Sequence, residues 1–259
     1  MLSLLFVAVG CGVMSNGRRW GQDAFSNVNR KTLSQAARDA FFDVQTLLPA
    51  AAAVVFAAAD WDDQVSDWAT DDTPIFGSQG TAQDVSDYLN WTLQSEAVAT
   101  LIATPSGPDA KGWWRAKGKG FGTELVAAGI PIGTTQLLKR LTNRTRPDCE
   151  DDHSFPSGHA TSAFSMSTLS NRNLRALELS PKVRIPLQVS NILMASGVVW
   201  ARVEGNKHFP SDVLAGAAIG HFFSAFLHDA LIGLPKSHHA RIVIMPSRQE
   251  TMAYIVFPF

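Results

Sequence analysis

Six apolar stretches of helical length, each closed off by Gly, Pro, Asp or Ser, constrain this chain more than any other feature: such lengths suit helices and exceed ordinary strands. They run from Leu47 to Asp60, Gln83 to Ala103, Gly120 to Thr145, Gly158 to Asn171, Lys182 to Arg202 and Ser211 to Leu231. Together they predict an all-α fold with a six-helix core bundle. A more polar helical lead-in is expected around Arg30 to Val44, and loops are expected over Thr70 to Thr81 and Thr104 to Lys119. Crossing a bilayer takes about 20 predominantly apolar residues, and these stretches are shorter or carry Glu96, Glu124, Gln136, His221, His228 and Asp229. A soluble bundle is therefore favoured, with a membrane bundle of short spans as its rival. The composition, 46% hydrophobic and 17% charged, lies between the two.

The ends differ from this middle. Residues 1 to 17 form an apolar run followed by small residues and Cys11, which reads as a signal peptide or a lipoprotein-type anchor with Cys11 as the lipidated residue. Cys149 is then the only thiol left, so no intramolecular disulfide is expected. Residues 18 to 240 hold the helical domain. In residues 241 to 259, two β-rich runs, Arg241 to Met245 and Met252 to Phe257, flank a polar turn and predict a terminal β-hairpin.

Residues 139 to 147, KRLTNRTRP, carry four cations in a chain of net charge -1. Without an overall basic balance, nucleic acid is not the expected partner. A local cluster suits a small anion. Lys139 and Arg146 are seven residues apart, close to two helical turns, so both point from one face while Arg140 and Arg144 turn elsewhere. Pro147 places Arg146 at the helix exit. After eight intervening residues, Pro156, Ser157 and Gly158 read as a turn opening the next helix, whose free amides form the other half of an anion cradle beside His159. In residues 201 to 212, ARVEGNKHFPSD, Pro210 suits a first helical turn and Asp212 can reach back towards His208. A carboxylate accepting the proton of one imidazole nitrogen leaves the other as a nucleophilic lone pair. Arg202 adds a planar fork for phosphate oxygens.

The three blocks, Lys139-x6-Arg146-Pro147, Pro156-Ser157-Gly158-His159 and Arg202-x5-His208-x3-Asp212, resemble the three-part signature of the type 2 phosphatidic acid phosphatase superfamily, which includes bacterial acid phosphatases and vanadium haloperoxidases. One departure is visible: the third block usually begins Ser-Arg, and here Ala201 precedes Arg202.

The resemblance implies a phosphoric ester hydrolase with the helical fold of that superfamily, using neither metal nor cofactor. By the same resemblance His208 is the nucleophile, forming a phosphohistidine, with Asp212 behind it and His159 as acid and then base. Lys139, Arg146, Ser157, Gly158 and Arg202 hold the phosphate. The substrate is a phosphate monoester or diphosphate, small or lipid. With the signal-like start, these readings place the protein on the periplasmic side of a bacterial cell envelope, held to the membrane through its N-terminus. A vanadium-dependent haloperoxidase using the same anion site and a non-catalytic envelope lipid-binding protein are the alternatives; the short connection from Pro147 to Pro156 favours the phosphatase form. Outside the blocks, His221 and His228 are expected to be packed or partly solvated, and Cys149 to His153, CEDDH, to be a solvated acidic loop.

Overall fold

In a computed structural model, which describes residues 10–26, 28–233, 241–246 and 251–256, the last two by their backbone alone, eight helices precede a two-stranded ladder. They are α1 (Arg30–Phe41), α2 (Val44–Ala58), α3 (Trp61–Asp72), α4 (Gln79–Ala103), α5 (Ala110–Thr142), α6 (Gly158–Ala176), α7 (Pro181–Glu204) and α8 (Pro210–Ile232). β1 (Arg241–Pro246) pairs antiparallel with β2 (Thr251–Val256), Arg241 facing Val256.

Most helix starts follow from side-chain caps. Asn29, Asp43, Ser78 and Asp109 each accept a hydrogen bond from a first-turn amide of α1, α2, α4 and α5, which have no intrahelical partner of their own. Two expectations need correction. The expected loop from Thr70 to Thr81 is loop only over residues 73–78: its start ends α3, a helix beyond the six expected, set at 98° to α2 by the left-handed backbone of Asp60, and its end begins α4. The expected loop from Thr104 to Lys119 is mostly the first turns of α5, which starts ten residues before Gly120 because Asp109 caps it.

At the same end Lys117 closes α4. Its ammonium donates to the carbonyls of Leu101, Ile102 and Thr104 at the α4 C-terminus, and lies over the rings of Trp20 and Trp113.

Helices α6 and α8 form the centre: α8 packs on α1, α2, α5 and α6, and α6 packs on α4, α5, α7 and α8. Their approach is closer than side chains would allow. A Cβ on Gly216 would lie 2.5 Å from the Ser157 carbonyl oxygen, and one on Gly220 would lie 2.3 Å from that of Thr161. These glycines lock the two helices in register and bring both N-termini to one end of the bundle. Gly220→Ala is therefore expected to destabilise the fold by about 2 kcal/mol, because backbone rather than a flexible side chain must move. Thermal unfolding measures this; an unchanged midpoint would show that the helix contact is not tight.

His221 and His228 on α8 are fully buried, away from that end. His221 Nδ1 lies 2.8 Å from Thr46 Oγ1, and His228 stands between Glu124 and Asp229. Asp229 in turn accepts two hydrogen bonds of 2.8 Å from the Arg172 guanidinium. Among the described residues one helix, α8, is long and apolar enough to cross a membrane, and 56% of that stretch is buried inside the bundle.

Candidate active site

The amide of Ser157, ahead of α6, donates to the carbonyl of Asp212 in the first turn of α8 at 3.0 Å, so the two helix starts are tied together directly. Lys139, on the last turn of α5, is buried and donates to the carbonyl of His153 in the connecting loop. A Cβ on Gly158 would meet only the Lys139 side chain, at 4.0 Å, so backbone and ammonium stem face one another across open space. Of the first amides of α6, that of Ala160 is capped by Ser157 Oγ at 3.5 Å and that of Thr161 bonds the Ser157 carbonyl at 3.0 Å, while those of Gly158 and His159 have no partner within the helix. Arg202, on the last turn of α7, is 7% exposed, and its Nε is buried without a hydrogen-bond partner.

The cations sense one another. Burial, then the charge of Arg146, and further on that of Arg202, push Lys139 down to about 8, against Asp212 and Asp151. Burial and then Arg146 likewise push Arg202 down to about 10, against Asp87 and Asp148. Lys139 and Arg202 are thus desolvated cations near enough to each other and to Arg146 to repel. That arrangement is costly when empty and favours a multivalent oxyanion.

His208 is buried at this region, its Nδ1 turned towards Asp212 Oδ2 at 3.8 Å, longer than a hydrogen bond. Oδ2 already accepts from Ser154 Oγ at 2.5 Å and from the Phe209 amide at 3.0 Å, the latter being the expected reach-back across the helix start. Burial lowers His208 to about 4; Asp212 opposes this and the charges of Arg202 and Lys139 add to it. The imidazole is therefore neutral at ordinary pH. Burial alone would raise the Asp212 carboxyl, but His208, Ser154 and the charge of Arg144 outweigh it and hold the group below its usual range.

His159, on the first turn of α6, is half-buried and bonded through Nε2 to Asp87 Oδ1 at 2.8 Å. Burial and then the charge of Arg202 lower its pKa, while Asp87 raises it. Asp87 lies on α4, 72 residues away and outside all three sequence blocks. No signal in the sequence singles it out.

One expectation about a neighbouring residue fails. Arg144 does not turn elsewhere: α5 ends at Thr142, the left-handed backbone of Asn143 redirects the chain, and helical spacing no longer applies beyond it. Arg144 donates instead to Asp212 Oδ1 at 2.7 Å. For the same reason Arg146 sits in the loop past the helix exit, bonded through Nε to Asp151 at 2.7 Å. The acidic loop from Cys149 to His153 is exposed, as expected, and Glu150 together with the preceding Asp148 pairs with Lys207 at 2.8 Å next to His208. These two carboxylates fasten the loop over the site. Ala201 is fully buried on α7 beside Arg202. Among the described residues no group of three or more His, Cys, Asp or Glu is placed to hold a metal ion.

Comparison with known proteins bears on this arrangement. A sequence model of the PAP2 superfamily matches residues 122–232, the stretch containing all three blocks. The chain is 34% identical over 129 residues to lipid A 1-phosphatase of Porphyromonas gingivalis, covering 48% of this chain and 27% of that protein. It is 32% identical over 157 residues to decaprenylphosphoryl-5-phosphoribose phosphatase of Mycobacterium tuberculosis, covering 56% of this chain and 75% of that one. Lipid A 1-phosphatase of Rhizobium etli is 32% identical over 120 residues, 39% of this chain and 45% of its own. The match thus spans less than half the length of either lipid A enzyme. Among solved structures, a transmembrane PAP2-type phosphatidylglycerolphosphate phosphatase from Bacillus subtilis aligns with a TM-score of 0.49 and 22% identity, over 70% of this chain and 90% of that one. With three quarters of the mycobacterial phosphatase matched at this identity, and the family's own signature stretch matched as well, the chain belongs to the PAP2 superfamily.

Proposed function

We propose that this protein hydrolyses a lipid phosphate monoester or diphosphate through a phosphohistidine. The observation that carries this reading is the buried Arg202 guanidinium, its Nε without a hydrogen-bond partner, near enough to Lys139 and to a neutral His208 for its charge to act on both, with a carboxylate behind that imidazole. The lone pair of His208 Nε2 attacks phosphorus, the bond to the leaving oxygen breaks, and His159 gives that oxygen its proton. Lys139, Arg146, Arg202, Ser157 and the Gly158 amide hold the equatorial oxygens. Neutral His159 then takes a proton from water, whose oxygen attacks phosphorus and breaks the phosphorus–nitrogen bond, releasing phosphate and restoring both imidazoles. Phosphoryl transfer asks mainly for alignment and charge stabilisation, and three cations with helix amides supply both without a metal.

A lipid substrate is supported by exposed apolar side chains on the helices that carry the site. Tyr88, next to Asp87 on α4, Trp91, one turn from Asp87, and Leu137 and Leu141 on α5 are all exposed. Such side chains gain by meeting hydrocarbon. The relatives' names likewise refer to phosphorylated lipids. Phosphate release from a panel of lipid phosphates in mixed micelles, with p-nitrophenyl phosphate as the soluble member and a chelator throughout, tests the reading. Lipid substrates are expected to be turned over at least about 10-fold faster. Hydrolysis that appears only with added metal would overturn it.

We also keep the envelope location as part of this reading, with Cys11, which is exposed, as the candidate lipidated residue. Mass spectrometry of the mature N-terminus decides that point.

Rate should depend on pH as a bell, because His208 must be neutral and His159 protonated. Its acid limb belongs to a group lowered to about 4 and its alkaline limb to one lowered from 6.5, so the optimum in kcat/KM is mildly acidic. Asp87 raises His159, so Asp87→Asn should move the alkaline limb to lower pH and reduce the rate most at neutrality. An unshifted limb would mean that His159 is not the acid.

A further inference from the structure

We propose that Arg144 and Asp62 are positioning residues for the nucleophile, holding the Asp212 carboxylate in the orientation that faces His208 and tying it to α3. This rests on the phosphohistidine reading above and extends it to two side chains that are not fixed positions of the three blocks: Arg144, within the first, and Asp62, outside all of them.

Both oxygens of Asp212 depend on residue 144. Arg144 Nη1 donates to Oδ1 at 2.7 Å, while the Arg144 carbonyl accepts the Ser154 amide at 2.9 Å and so places the Ser154 hydroxyl that donates to Oδ2. The guanidinium lies 4.2 Å from the ring centroid of Phe209, between the two active-site residues His208 and Asp212 in sequence. Its other end is anchored: Nη2 donates to Asp62 Oδ2 at 2.9 Å, and Nη1 also donates to Ser211 Oγ at 2.8 Å. Asp62, buried on the first turn of α3, closes the frame by accepting the Ser211 amide at 2.8 Å and the Ser211 hydroxyl. A planar fork with several donors can span two carboxylates in one fixed geometry, which a lysine cannot.

This frame does more than cap α8. A cap needs an acceptor at the first amides, and Asp62 alone supplies that to Ser211. The bond from Arg144 to Asp212 Oδ1 adds nothing to capping, yet it fixes the rotation of the carboxylate and hence the distance from Oδ2 to His208. The charged groups facing Asp212 are Arg144 from the loop after α5, Lys139 from α5 and His208 from the segment before α8; Asp62 on α3 faces it through Arg144.

Charge then gives opposite signs to two substitutions. Arg144→Gln removes a cation from Asp212, making that carboxylate and the imidazole it faces easier to protonate, so the acid limb of kcat/KM should move to higher pH. Asp62→Asn removes an anion and keeps an acceptor for the Ser211 amide, so the limb should move to lower pH. Each should cost about 10- to 100-fold in rate, the range seen when a group orienting a site residue is lost. Arg144→Lys keeps the charge without the fork, so it should leave the limb in place and still lower kcat.

The measurement is the pH profile of p-nitrophenyl phosphate hydrolysis on the full chain, with thermal unfolding alongside. His208→Ala and Arg140→Gln, the latter an exposed cation on α5, serve as references. Opposite shifts for Arg144→Gln and Asp62→Asn with Arg140→Gln unmoved support the proposal. Folded variants with unshifted limbs and rates within about twofold of the parent overturn it. If Arg144→Gln does not fold, the direction of the Asp62→Asn shift and the rate of Arg144→Lys decide. Activity persisting in His208→Ala would instead defeat the phosphohistidine reading itself, a separate outcome.

Discussion

His208→Ala is expected to remove phosphate release almost entirely, by on the order of 10⁴-fold or more, with no loss of substrate binding in proportion. The reason is chemical: Nδ1 faces a carboxylate and Nε2 is the only lone pair left to attack, so no neighbouring group can replace it. His159 is bonded to Asp87 instead. The direct measurement is brief mixing with a ³²P-labelled substrate followed by alkaline quench, where an acid-labile, alkali-stable label should appear on the parent and not on His208→Ala. Label retained by the variant, or hydrolysis within tenfold of the parent, would require another nucleophile.

The second large effect belongs to Arg202. A buried guanidinium without a partner on Nε destabilises the empty protein and is repaid when an anion arrives. Arg202→Met, which fills similar volume without charge, should therefore lower kcat/KM by about 10² to 10³-fold. It should also leave the unliganded protein at least as stable as the parent. Scanning fluorimetry with and without inorganic phosphate separates the two: the parent should gain stability on adding phosphate and the variant should gain little. A variant that unfolds far below the parent would mean that Arg202 is a structural cation, and equal gains from phosphate would place the anion elsewhere.

Part of this site was legible before any coordinates. Each block is local: Lys139 and Arg146 sit in nine residues, Ser157 to His159 at one helix start, and His208 to Asp212 across another, so short-range spacing and cap chemistry reveal them. What failed did so at a chain reversal. Helical spacing set Arg144 aside, and the left-handed Asn143 undid that spacing within two residues. Asp87 and Asp62 left no trace, because their partners lie 72 and 82 residues away, at His159 and Arg144, and single carboxylates on polar helix faces look like any others.

By itself the sequence determined the helical class and picked out His159 and His208 as candidates beside a basic cluster, because periodicity and cap residues act within a turn or two of chain. Only the tertiary structure decided which carboxylate serves which imidazole, and that a third, on α3, holds the arginine between them. Those choices depend on the close approach of α6 and α8 at Gly216 and Gly220, a contact set by packing between distant segments, to which local sequence preferences are blind.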